Sequence, residues 1–132
     1  MIRFVFGVFI MLHGLVHLLY FGHSGRYFQL QPGLVWPDGS WAFSRILGEI
    51  GTRNLASILL VLTTIGFVAG GIGIFIQQAW WRPVVIDVTV FSAVLFVLFW
   101  DGILQMLDGK GGIGILINVA ILVVLLAFHW PK

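Results

Sequence analysis

Four stretches of the chain are apolar almost without interruption, and the polar residues gather between them. They cover about residues 4–22, 55–76, 83–107 and 113–130. A bilayer core needs roughly 20 apolar residues as helix, and each stretch meets or nearly meets that length. The runs are continuous rather than alternating with period two, so helices are expected and not barrel strands. The pattern predicts an all-α polytopic membrane protein, a four-transmembrane-helix bundle forming a single domain over residues 1–132. Pro83 suits the first turn of its helix, where a missing N–H costs nothing. Gly109, Gly111 and Gly112 mark a tight turn between the third and fourth spans.

The connection 23–54 is the only long one. It turns at Trp36-Pro37-Asp38-Gly39, after which Ser40 can cap a short helix. Phe43, Ile46, Leu47 and Ile50 recur at helical spacing, with Arg45 and Glu49 elsewhere on the wheel. This reads as an interfacial amphipathic helix, with Arg45 and Glu49 spaced to pair weakly. The loop is either a surface connector or a lid over a site between the helices.

Composition agrees with the spans. Hydrophobic residues make up 60% of the chain and charged residues 9%, against about 25% charged in a soluble domain. The net charge of +2 comes from seven Lys/Arg scattered singly near segment ends. There they act as topology determinants rather than as a nucleic-acid surface. Arg3, Arg82 and Lys132 sit on the side of the two termini, which are expected in the cytoplasm of a cell-membrane protein. Trp80, Trp81 and Trp130 on one side, and Trp36, Trp41 and Trp100 on the other, are expected in the interfacial belts. The first run is longer than the apolar core of a signal peptide and carries two histidines. The absence of cysteine excludes thiolate catalysis, disulfide exchange and iron–sulfur clusters.

Polar groups within a span are costly and point to function. With a rise of 1.5 Å per residue, His13 lies roughly 15 Å from the terminal side and His17 one turn deeper. Asn118 falls level with His17, at roughly 22 Å, and Asp101 at roughly 27 Å. Thr63 and Thr64 are near mid-membrane. One ligand-binding cluster is therefore expected from His13, His17, Thr63, Asp101 and Asn118. A second polar pair, Asp87 and His129, falls near the terminal side. Two histidines one turn apart plus a carboxylate resemble a metal set, but no Glu follows His13 as in HExxH. A bis-histidine haem needs a partner histidine at matching depth on another span, and none is present. No metal and no cofactor is assigned. Gly66, Gly70 and Gly73 give the second span a small face for close helix packing.

The segment Leu12-His13-Gly14-Leu15-Val16-His17-Leu18 resembles the start of DoxX-like proteins, small four-helix bacterial and archaeal membrane proteins that often carry a His-Gly pair late in the first helix. The family usually has lysine three residues after that glycine, where this chain has His17. The stretch from Trp80-Trp81-Arg82-Pro83 through Ser92 to Phe99-Trp100 looks like other uncharacterised small four-span proteins. The resemblance implies a role beside quinone-linked sulfur or redox systems, carried over only to His13 and Gly14. The leading expectation is an accessory or ligand-binding membrane protein with a histidine-lined pocket, taking a quinone or lipid-like ligand. The alternatives are a structural subunit, as a homo-oligomer or within a larger complex, and an intramembrane enzyme or small transporter using His17 and Asp101 for proton transfer.

Overall fold

The computed structural model describes residues 2–30, 32–102 and 110–129. It is all-helical among those residues. The helices are α1 (Ile2–Ser24), α2 (Ser44–Phe75), α3 (Trp81–Leu98) and α4 (Gly112–Leu122), the last continued by a π-helical turn at Val123–Ala127. α1, α2 and α3 are long and apolar enough to cross a membrane; α4 with its extension is a shorter apolar helix. This is consistent with a membrane protein. Consecutive helices pack against one another.

Two apolar layers stack along the helices. Phe6, Ile10, Phe67, Trp81, Val85 and Ile121 form the layer toward the chain termini. Tyr20, Trp36, Leu60, Leu95, Phe96 and Phe99 form the layer toward the long loop. The polar side chains of His13, His17, Ser92 and Asn118 are buried in the same interior.

The small face of α2 is used inside the chain. A Cβ at Gly66 would lie 2.6 Å from Val88 Cγ2, and one at Gly70 would lie 2.5 Å from Val85 Cγ2. One at Gly73 would meet Trp80 and Trp81 at 2.8–2.9 Å. These three residues let α3 approach α2, as small residues do between membrane helices.

Element boundaries differ from the expectation in two places. The short helix and the second span form one helix, α2, bent at Gly48 (φ 72°, ψ 179°), a conformation open essentially to glycine alone. Arg45 and Glu49 flank that bend and form no ion pair with each other. Of the anticipated amphipathic face, Phe43 packs on Phe99 (4.9 Å between centroids), while Ile46, Leu47 and Ile50 are exposed.

The third span was expected to reach residue 107, yet α3 stops at Leu98. Its last carbonyls are taken by the long loop. Ser40 Oγ donates to Leu98 O (2.5 Å) and Trp41 Nε1 to Val97 O (2.7 Å). Orphan carbonyls at a helix end need such donors. Ser40 Oγ also accepts from Phe43 N–H (3.3 Å) in the turn before α2, but the N-cap position itself is Phe43, which has no side-chain cap. Residues 103–107 of that span, and Gly109, lie outside the described residues.

The loop is no loose connector. Leu34 and Trp36 are buried in it. Trp36 stands edge-on to Tyr20 (5.6 Å) and tilts over Phe96 (6.0 Å), so it closes the interior instead of lying in an interfacial belt. Trp81 is likewise buried, against Phe6 (6.1 Å), with Arg82 over its ring. Trp130 and Lys132 lie outside the described residues.

Candidate functional site

His13 and His17 are i, i+4 on α1, which puts both rings on the face turned to the other helices. Gly14 between them carries no side chain, and a Cβ there would collide with Phe67 of α2. The resulting close approach lets Thr64 Oγ1 donate to Gly14 O (3.1 Å), alongside its own Leu60 O (3.0 Å). Phe67 then stacks edge-on to His13 (4.9 Å) and tilted to His17 (5.3 Å).

From α3 and α4 come Ser92 and Asn118, both fully buried. His13 Nε2 is 2.7 Å from Asn118 Oδ1, Asn118 Nδ2 is 2.9 Å from Ser92 Oγ, and Ser92 Oγ is 2.7 Å from His17 Nε2. His17 Nδ1 closes the circle at 2.9 Å from His13 O.

One fixed end orders the whole ring. A backbone carbonyl only accepts, so His17 carries its proton on Nδ1 and, as a neutral imidazole, accepts at Nε2. The Ser92 hydroxyl must therefore donate to His17. It then accepts from Asn118 Nδ2, which turns Asn118 Oδ1 toward His13, and His13 carries its proton on Nε2. Donation runs one way round: His13, Asn118, Ser92, His17 and back to the His13 carbonyl. Bonds aligned in this manner polarise one another in a low-dielectric interior. The ring ties α1, α3 and α4 together; Gly14, Thr64 and Phe67 tie in α2.

The structure places the residues singled out in the sequence as follows. His13, His17 and Asn118 come together. Thr63 is buried, but its hydroxyl donates to Leu59 O (2.8 Å) in its own helix; the neighbouring Thr64 makes the interhelical bond. Asp101 lies beyond the end of α3 and pairs with Lys110 (3.0 Å), outside the ring. Asp87 and His129 are both exposed and form no hydrogen bond or ion pair with each other. Ser92 was passed over as a site residue. A depth count would have found it: nine residues past Pro83 is roughly 14 Å, level with His13.

Beside the ring, on the other side of Phe96, lies an open apolar groove between the end of α3 and the start of α4, with a volume of about 510 Å³. Val97, Trp100, Ile113, Ile115 and Leu116 line it, with Lys110 at one end. Its rim residues Val97, Ile113 and Leu116 are exposed. Phe96 is shared: it forms a wall of the groove and its ring tilts against His17 (5.7 Å). Gly111, at φ 95°, holds the turn into α4 against that same ring. Among the described residues, no group of three or more His, Cys, Asp or Glu side chains forms a metal-binding cluster. No family model, no curated protein and no solved structure matches the chain.

Proposed function

We propose that the chain is a small integral membrane accessory protein, crossing the bilayer four times as one bundle and holding a lipid-like ligand in the groove between α3 and α4. The observation that carries this reading is the groove itself. Its volume of about 510 Å³ falls within the roughly 300–1,000 Å³ of small-molecule sites. Its walls are apolar, and among the described residues that line it the cation Lys110 is engaged by Asp101. A hydrocarbon or prenyl chain suits such walls better than a charged solute. In a bilayer, the exposed rim would leave the groove open to a lipid-soluble molecule.

In this reading the histidines stand behind the groove. The ring holds His17, His17 supports Phe96, and Phe96 shapes the wall. A quinone belongs to the ligand class by its prenyl tail. Kinship with DoxX-like proteins through His13 and Gly14, and service to a redox system, are part of the same proposal. So is association with further copies or other subunits of a membrane complex. The Gly66, Gly70 and Gly73 face gives no surface for that association, because α3 already covers it. We place both termini in the cytoplasm, following Arg3 and Arg82. The absence of cysteine makes single-cysteine labelling with an impermeant maleimide a direct test of that orientation.

Native mass spectrometry of the mildly purified protein tests the ligand. Wild type should carry one lipid-like mass that Leu116→Trp, which fills the groove, loses while keeping its fold. An empty wild type, or equal occupancy in the variant, would refute the reading.

A further inference from the structure

Among the described residues near the long loop, four buried polar atoms have no hydrogen-bond partner; Arg53 Nε faces Asp38 in an ion pair (3.3 Å), and the other three are His23 Nε2, Trp36 Nε1 and Thr52 Oγ1. The residues of these three are 0–1% exposed. Buried groups of this kind are rarely left unmatched, and each costs about 1–3 kcal/mol if it is.

All three can donate. His23 Nδ1 accepts from Leu30 N–H (3.2 Å), so the neutral ring keeps its proton on Nε2, near the Trp36 carbonyl but short of hydrogen-bond geometry. The Trp36 indole N–H only donates. Thr52 is the telling case. Thr63, Thr64 and Thr89 each return their hydroxyl to the carbonyl four residues back. For Thr52 that carbonyl belongs to Gly48, where α2 bends out of helical geometry. The bend removes the usual acceptor and frees the hydroxyl.

The three groups sit on segments that pack together. Trp36 packs on Tyr20, and His23 follows Tyr20 by one helical turn. Trp36 shares an apolar cluster with Ala56, and Thr52 precedes Ala56 by one turn of α2. Arg26 Nη1 donates to both His23 O (2.7 Å) and Trp36 O (2.9 Å), which pins the loop to the end of α1. Ser24 Oγ donates to Arg53 O (2.9 Å), which pins α1 to α2 beside Thr52.

Charge favours an anion there. Arg26 and Arg53 share the single carboxylate of Asp38, at 2.5 and 3.3 Å. Two guanidinium charges against one carboxylate leave one positive charge. Both arginine side chains are partly exposed, at 31% and 26%, and mark a way in from the aqueous side.

We propose that His23, Trp36 and Thr52 form a binding site for a small inorganic monoanion of chloride or bromide size, beneath the loop and beside the Arg26–Asp38–Arg53 group. The anion completes the three unmatched donors and balances the excess charge. It thereby fastens the loop over the end of the helices.

The test is a titration of the tryptophan indole N–H signals by proton–nitrogen correlation spectroscopy of the full chain in detergent micelles. Chloride or bromide replaces the bulky anion gluconate at constant ionic strength. Of the six indoles, the one assigned to Trp36 by its absence from Trp36→Phe should shift and saturate. Thr52→Val should raise the midpoint about tenfold, the equivalent of one lost hydrogen bond. Thr52→Ser, which restores the hydroxyl, should keep the wild-type midpoint. A Trp36 signal that stays still or drifts without saturating would overturn the proposal. So would one that moves only in nanodiscs of anionic lipid, or a midpoint unchanged in Thr52→Val.

Discussion

Ser92→Ala removes one oxygen atom and opens the polar ring at its centre. The hydroxyl donates to His17 and accepts from Asn118, at 2.7 and 2.9 Å. Interhelical hydrogen bonds in membrane proteins average about 0.6 kcal/mol and reach about 1.7. Those averages include cases in which the partners find substitutes. Here His17 is 2% exposed and Asn118 fully buried, so neither can turn to water. Leaving such groups unmatched costs about 1–3 kcal/mol each. These are two descriptions of one loss and do not add, so Ser92→Ala should destabilise by about 2–3 kcal/mol. Thr63→Val is the control, because the Thr63 hydroxyl bonds only within its own helix; it should cost under about 0.5 kcal/mol. The assay is equilibrium unfolding in mixed micelles of a mild detergent and dodecyl sulfate, followed by circular dichroism. A Ser92→Ala curve that overlies wild type, or a loss no greater than that of Thr63→Val, would refute the closed ring.

Further outcomes follow from other contacts. Gly70→Leu drives a side chain into Val85 of α3; it should reduce folded yield in size-exclusion chromatography, not merely change an oligomeric state. Gly48→Ala imposes a Cβ at φ 72°, ψ 179°; it should lower stability by about 1–3 kcal/mol, read from the same unfolding curves. Asp38→Asn leaves Arg26 and Arg53 without their shared carboxylate; deuterium uptake over residues 25–43 should rise while that of α1 and α3 stays at the wild-type level. Leu116→Trp should empty the groove while leaving the helical circular dichroism of the folded protein unchanged, since Leu116 is exposed and outside the buried core.

The helices were legible because a long apolar run leaves the backbone few other ways to meet its hydrogen bonds in lipid. Depth counting paired His13 and His17 with Asn118, since helix rise is nearly constant. It misled at Asp101 because it assumed that the third span continued. The loop's Ser40 and Trp41 instead take the last carbonyls of α3, and Lys110 holds Asp101 outside. The Ser40 and Trp41 bonds span more than 50 residues, which no local pattern carries. Thr63 and Thr64 were indistinguishable by depth; only helix rotation, fixed by the Gly14–Phe67 contact, decides which one reaches α1. Ser92 was overlooked because a lone serine in an apolar helix commonly bonds back to its own backbone. Trp36 and Trp81 looked like belt residues by composition, yet the loop and α1 bury them. The groove could not be read at all, because it depends on where α3 stops and how α4 begins.

The central claim is that a one-way ring of hydrogen bonds fixes both membrane histidines. Long-range proton–nitrogen correlation spectra of protein labelled with nitrogen-15 at histidine test it most directly, since each ring reports where its proton sits. The account predicts opposite neutral tautomers, with the proton on Nε2 of His13 and on Nδ1 of His17, and averaging of the His17 ring in Ser92→Ala. The same tautomer at both positions, or rings already averaging in wild type, would contradict it.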